Sequence, residues 1–392
     1  MKPDTMLMIP GPTPVPQAVL SALALPPIGH RSADFKRLLQ NIQPKLQWLF
    51  QTKRPVYVYA ASGTGAMEAA LQNTVNPQED ILVLACGVFS HRWADIGKAL
   101  GLNVHLQLAP DGEASNLDEL THFLNSPDGK KIKAVCLIHN ETSTAVMNPL
   151  KSLCEAIRSN APDALIIVDT VTSLGAVNFE FDNWDIDIAV SGSQKGFMLP
   201  PGLAFIAVSE RALAQHKAVK NPGYYFNFSK YEKGTLENQT PYTPAITLYQ
   251  GLDVALNLMQ AETLEGIFKR HELNTQMTRA AIKAINLPLM VKDDTFASRA
   301  VTAVRPDNLD AEEFRKRLRD QFSITVAGGQ KDLKGRIFRI GHLGAIYPRD
   351  ILTTVSSIEV ILKQLNHSFE LGSGVKAAQE VLLTSQKQVA HV

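Results

Sequence analysis

Cysteine is scarce in this chain: three among 392 residues, Cys86, Cys136 and Cys154. They lie far apart, with no CxxC spacing and no His/Cys cluster. That pattern argues against a metal site and against a disulfide framework, and it makes a reducing cytoplasm the expected compartment. Charge of one sign is also lacking. Lys and Arg total 39 and Asp and Glu 38, for a net charge of +1. Nothing in that balance attracts a nucleic acid or a membrane surface. No run of eighteen or more apolar residues occurs, so no membrane span is expected. The opening MKPDTMLMIPGP has no signal-peptide core, and the closing QVAHV is not a peroxisomal address. Internal repeats and low-complexity tracts are absent as well.

What is present is an ordinary globular composition, 45% hydrophobic and 20% charged. The length exceeds what one compact core accommodates, so two packed units are expected. Residues 1–30 carry Pro10, Pro12, Pro14, Pro16, Pro26 and Pro27. Proline fixes φ and lacks a donor, so this arm is expected to be extended rather than helical. From Pro55 to Val208 seven short apolar runs alternate with amphipathic stretches. The runs are Val56–Ala60, Ile81–Ala85, Val104–Leu108, Ala134–Ile138, Leu165–Val168, Ile186–Val190 and Leu203–Val208. Several are apolar at nearly every position, as in strands buried on both faces. Helical patterns fall between them at Gly65–Val75, Arg92–Leu100, Asn116–Leu124 and Pro149–Asn160.

The expected fold class is therefore α/β: a mostly parallel seven-stranded sheet in a large domain, helices on both faces, then a smaller C-terminal α+β domain. Long helices are expected over Pro244–Ile285. Strands follow near Arg299–Val304, Ile324–Val326 and Arg336–Ile340, with helices at Ala311–Gln321 and Pro348–Leu365. The expected division is an arm over 1–30, a large domain over 31–260 and a small domain over 261–392. The tail after Ser373 reads as polar and peripheral.

In open α/β sheets ligands gather where strands deliver their carboxyl ends to loops. The first run is followed by ASGTGAMEA, a glycine-rich turn opening a helix. Its backbone N–H groups can meet an anion, or it is only a helix cap; it is neither a Walker loop nor a GxGxxG dinucleotide pattern. The second run leads to CGVFSHRWADIG, with Phe89 either in the core or presented as a plate for a planar ligand. HNETSTA follows the fourth run with hydroxyls and amides. Asp169 follows the fifth, where a carboxylate in a buried strand demands a cationic partner unless it merely caps a helix. Lys195 follows the sixth, in AVSGSQKGFMLPPGL, flanked by Ser193 and Gly196. An amine in a partly buried pocket has a lowered pKa and becomes a nucleophile.

Together these parts match what pyridoxal 5'-phosphate requires. Its phosphate suits the helix N-terminus and its ring a stacking face. Its pyridine nitrogen suits a carboxylate, and its aldehyde a lysine that forms a Schiff base.

The segments PGPTPVP, SGTGAMEAAL, HNETSTAV, VDTVTSLGA, SGSQKG with PPGL, and RIFRIGHLG span Pro10 to Gly344. In them the chain resembles the class V aminotransferases of fold type I, in the alanine–glyoxylate and serine–glyoxylate aminotransferase group. The resemblance implies that Lys195 forms the Schiff base and Asp169 pairs the pyridine nitrogen. It implies that the turn Ser62, Gly63, Thr64 and Gly65 receives the phosphate, Thr64 and Gly65 holding it with help from Gln194. Thr142 would lie near the ring's 3-hydroxyl. Phe89 occupies the stacking position, where some relatives have tryptophan and desulfurase-like ones histidine. Arg339 would bind the substrate carboxylate, and Gly11 would line the substrate pocket through its backbone. A homodimer with shared active sites is implied, placing Tyr242 or Thr243 on the neighbouring chain's phosphate. His30 and Arg31 would cross to that neighbour or cover the pocket, or else form a surface loop.

The implied reaction takes the amino group of L-alanine or L-serine to glyoxylate. Two other readings remain: a cysteine desulfurase-like lyase of the same fold, which needs a mobile catalytic cysteine, and a catalytically silent binding subunit.

Overall fold

The computed structural model describes residues 4–389; the first three residues of the opening segment and the last three of QVAHV lie outside the described residues. Seven strands form the main sheet in the order Val56–Tyr59, Ala204–Val208, Ile188–Gly192, Leu165–Asp169, Ile132–Ile138, Asp80–Ala85 and Asn103–Leu108. Ala204–Val208 alone runs against its neighbours, and the others are parallel. The seven apolar runs thus appear as the seven strands, with ends shifted by at most two residues. The central strands are buried at every position because helices cover both faces. Asn103–Leu108, at the sheet edge, is only partly covered.

Successive side chains of a strand point to opposite faces, and here each face has its own core. On one, Val58, Val135, Leu137, Ile166, Val168 and Phe205 pack under the helices Ala33–Phe50 and Ile246–Glu262. On the other, Tyr57, Tyr59, Val83, Cys136, Ile167 and Ile206 pack under Gly63–Gln72 and Val88–Ala99. Helix Ala33–Phe50 has no counterpart in the expectations above. Its buried stripe is Phe35, Leu39, Ile42, Leu46 and Leu49, a regular helical spacing, but Pro44 sits inside it. The burial of five large side chains outweighs the roughly 3 kcal/mol that an interior proline costs a helix.

Two expectations fail. The arm is not wholly extended: Gln17–Leu23 is a helix with Val19 and Ala22 buried. Prolines alternate only as far as Pro16, whose φ of −59° suits a helix start, and none lies in the seven residues that follow. The tail is not peripheral either. Ser373–Val389 is a helix whose Ala378 is fully buried, with Val375, Val381 and Leu382 packed beside it. Those positions recur at helical spacing within a mostly polar stretch. The carboxylate of buried Glu359 accepts the amides of Gly372, Gly374 and Val375 at 2.6, 2.8 and 3.0 Å, satisfying the start of that helix.

The second sheet has the order Met6–Met8, Ile324–Gly328, Phe338–Gly341, Val301–Val304. Its first strand comes from the start of the chain and pairs in parallel, Met6 with Ile324 and Met8 with Val326. Helices Ala311–Phe322 and Pro348–Gln364 cover this sheet, close to their expected limits. Leu264–Ala284 serves both units: Ile267 packs in the large core, Met277, Ala281 and Ile282 in the small one.

Candidate active site

Parallel strands bring their carboxyl ends to one edge, and the loops leaving that edge enclose a cavity of about 120 Å3. Ser62, Gly63, Thr64, Phe89, Thr142, Asp169, Gln194 and Lys195 all line it. Sequence segments separated by up to 133 positions, from Ser62 to Lys195, therefore meet at one place.

Lys195 occupies the tight turn after Ile188–Gly192. That turn is braced by Ser193, whose hydroxyl donates to Pro200 O at 2.8 Å and accepts from the amide of Leu203 at 3.1 Å. Next to the lysine, a Cβ on Gly196 would lie 2.3 Å from Leu174 O, so only glycine lets the lysine turn and the loop after Asp169 come this close. The lysine amine is pushed down to about 8, chiefly by burial and then by the guanidinium of Arg339. Asp169 is 4% exposed, and burial pushes its carboxyl up to about 7. One hydrogen bond, from the amide of Val171 at 2.7 Å, partly offsets that cost. No helix begins after Asp169, so it is not a helix cap.

At the mouth of the glycine turn the cap residue Ser62 makes no side-chain hydrogen bond, and neither the amide of Gly63 nor that of Thr64 has an acceptor in the chain. The hydroxyl of Thr142 meets that of Thr172 at 2.7 Å. Gln194 has its side-chain oxygen buried without a partner. These are free donors at a helix N-terminus, a buried carboxylate, a primary amine and an unpartnered amide, all around one cavity. The residues present fit pyridoxal phosphate.

Seven expected positions lie outside the cavity lining. Gly65 is drawn into its helix, its amide donating to Ser62 O at 2.9 Å. Gly11 touches the lysine itself: a Cβ there would lie 2.6 to 2.7 Å from Lys195 Cδ, Cε and Nζ. Arg339, 5% exposed on Phe338–Gly341, donates to Thr142 O at 2.9 Å through Nη1 and to Gly328 O through Nε and Nη2 at 2.9 and 2.7 Å. Tyr242 stacks on Tyr225 with ring centroids 4.9 Å apart, and Thr243 is exposed. Arg31 is exposed and donates to Thr240 O at 2.9 Å, and His30 is half-buried.

Three contributors escaped the sequence reading. Arg92 lines the cavity, three residues beyond Phe89 on the same helix, and that spacing was the available signal. Glu141, fully buried, accepts from the amide and hydroxyl of Ser90 (both 2.8 Å) and from those of Ser143 (2.9 and 2.7 Å). It ties the exits of two strands together. Thr13 binds the arm to the lysine turn, its amide donating to Gln194 O at 3.1 Å and its hydroxyl to Lys195 O at 3.0 Å. No local pattern marks either of the last two.

The fold and this site define an enzyme that uses pyridoxal phosphate. The chain belongs to the class V aminotransferase family, whose model matches residues 6–337. A protein of Synechococcus named soluble hydrogenase, small subunit, is 46% identical, the match covering 98% of this chain and all of that one. Serine–glyoxylate aminotransferase of Arabidopsis thaliana is 34% identical over 96% of this chain and 94% of its own. The crystal structure of the Bacillus subtilis ureidoglycine–glyoxylate aminotransferase superposes with a TM-score of 0.91 at 31% identity, covering 97% of this chain and 99% of that one. Among the described residues no group of His, Cys, Asp or Glu is arranged to hold a metal ion. All three cysteines are buried, and burial pushes the thiols of Cys86 and Cys154 up to about 12. A mobile, reactive cysteine of the desulfurase type is therefore not favoured.

Proposed function

We propose that this chain is a transaminase that moves the amino group of L-alanine or L-serine to glyoxylate, giving pyruvate or hydroxypyruvate and glycine. The observation that carries the reading is that Lys195 and Asp169 line one cavity, while Arg339 sits behind the lining residue Thr142, bonded to its carbonyl, and depresses the lysine's pKa. Relatives named for glyoxylate support the acceptor.

Pyridoxal phosphate, when bound, supplies an aldehyde that takes up amines and a ring that accepts the electron pair left as the donor's Cα–H bond breaks. Lys195 does the proton work. Its amine, held near 8, retains a neutral fraction at neutral pH, so Nζ would take the donor's Cα proton and pass it to the cofactor within the same half-reaction, the acceptor's half running the same transfers in reverse. Asp169 would hold the ring nitrogen and keep a proton there, and that positive charge would favour its carboxylate form against the burial that pushes its pKa up.

Arg339 binds the substrate carboxylate. Of the five guanidinium N–H groups, three go to Gly328 O and Thr142 O. One on each terminal nitrogen remains, which is the pair a carboxylate takes up.

We further read the chain as a cytoplasmic homodimer, in which Tyr242 or Thr243 serves the neighbouring chain's phosphate. Both lie outside the chain's own cavity, and Tyr242 packs beside Tyr224, which is 74% exposed.

Steady-state kinetics with a panel of amino donors against glyoxylate test the reaction. Alanine or serine is expected to turn over, and to bleach the visible band of the yellow protein. Turnover only with some other donor, or with no use of glyoxylate, overturns the substrate reading. A monomer mass by light scattering overturns the dimer.

A further inference from the structure

Arg92 is the one cationic side chain of the cavity lining, besides Lys195, among the described residues. It makes two contacts there. Its Nη1 donates to the hydroxyl oxygen of Thr64 at 2.8 Å, and its guanidinium carbon lies 5.0 Å from the centroid of the Phe89 ring. Residues 64 and 89 lie in the first turns of different helices, Gly63–Gln72 at the glycine turn and Val88–Ala99 at the ring plate. Arg92 therefore spans the phosphate end and the ring end of the site.

A hydroxyl has one hydrogen and two lone pairs. Because a cationic N–H already points at the oxygen of Thr64, the hydroxyl hydrogen must turn elsewhere, and no acceptor in the chain receives it. It is left beside the unpartnered amides of Gly63 and Thr64. An isolated threonine hydroxyl could rotate and act as donor or acceptor alike. This one is set as a donor, which is what an anion needs, and the added positive charge strengthens the bond it makes.

We propose that Arg92 is a positioning residue for the cofactor: it orients the Thr64 hydroxyl toward the phosphate and holds Phe89 as the ring plate. The inference rests on pyridoxal phosphate as the ligand of this cavity, and it is independent of which amino donor or acceptor is used. The charge of Arg92 also helps hold down the lysine amine and the aspartate carboxyl.

The test is the affinity of the full-length, cofactor-stripped chain for pyridoxal phosphate, read by absorbance titration without any substrate. Arg92→Leu, Thr64→Val and the double variant form a cycle, with pyridoxal lacking the phosphate as a second probe. Arg92→Leu is expected to weaken pyridoxal phosphate binding about tenfold or more, the worth of a charge-assisted hydrogen bond. The double variant is expected to lose clearly less than the sum of the single losses, because the phosphate share of the arginine's effect passes through the threonine and only the smaller Phe89 share is independent of it. Pyridoxal affinity is expected to fall much less. Arg92→Lys, which keeps a donor and a charge, restores most of the loss, and it carries the test if the leucine variant does not fold. Unchanged binding by Arg92→Leu, strictly additive losses in the cycle, or an equal loss for pyridoxal would each overturn the proposal. A failed donor panel with an intact cycle refutes the substrate reading alone.

Discussion

The amine of Lys195 donates a hydrogen bond to the backbone carbonyl of Pro10 at 2.6 Å, across 185 residues of chain. The start of the chain thus closes one side of the lysine's pocket. Thr13 fastens the same arm to the lysine turn from behind. The strand Met6–Met8, a few residues earlier, is anchored in the second sheet. The lysine is held between two structural units.

The first prediction concerns the residue after Pro10. Gly11 has φ +142°, where side chains are strained, and an added methyl would meet three atoms of Lys195. Gly11→Ala is expected to lower kcat/KM on the order of a hundredfold, the effect of displacing a reacting group by about an ångström. Borohydride trapping of the cofactor on Lys195 should fall in parallel. Wild-type kinetics for this variant would mean that the arm does not set the amine's position.

The second concerns pH. In the folded, cofactor-free chain Asp169 titrates at about 7, against an ordinary carboxyl value of 3.8. Between those values the folded state binds more protons than the unfolded one, so stability is greatest on the acid side and falls as pH rises through 7. Asp169→Asn is expected to flatten that slope, read as the thermal midpoint of the stripped protein across the interval. A slope of opposite sign in the wild type, or one unchanged by Asp169→Asn, would refute the assignment.

The third concerns the carboxylate grip. Arg339→Lys keeps the charge but loses the fork of two N–H groups. KM for both amino donor and glyoxylate is expected to rise roughly tenfold to a hundredfold, with a smaller change in kcat. A variant that lost only kcat would place the arginine's role in the proton transfer instead.

The fourth concerns the tail. Ala378 is fully buried in the small-unit core, whereas Gln379 beside it is exposed. Ala378→Asp is expected to cost about 3 kcal/mol, the penalty of an unpaired buried charge that a protein can partly relax. Gln379→Asp should stay within about 0.5 kcal/mol. Urea unfolding compares the two, and equal midpoints would show that the helix does not dock.

The strands were legible because a sheet covered on both faces requires runs such as LIIV and IAV, apolar at every position. The glycine turn, Asp169 and Lys195 were legible because polar residues stand out where such runs end. The helices Ala33–Phe50 and Ser373–Val389 were not, since Pro44 in one and a polar composition in the other conceal a helical stripe that only its packing partners reveal.

By itself, the sequence determined where the seven strands of the main sheet lie, to within two residues, and which reactive side chains stand at their exits, because burial and periodicity act over a few neighbouring residues. Tertiary structure alone decided that Arg92 meets Thr64, that Glu141 joins two strand exits, and that Pro10 receives the amine of Lys195. The long-range contacts among them cross 28 to 185 positions of chain. They depend on strand order and on how the arm crosses between the two sheets, and no local spacing of residues encodes either.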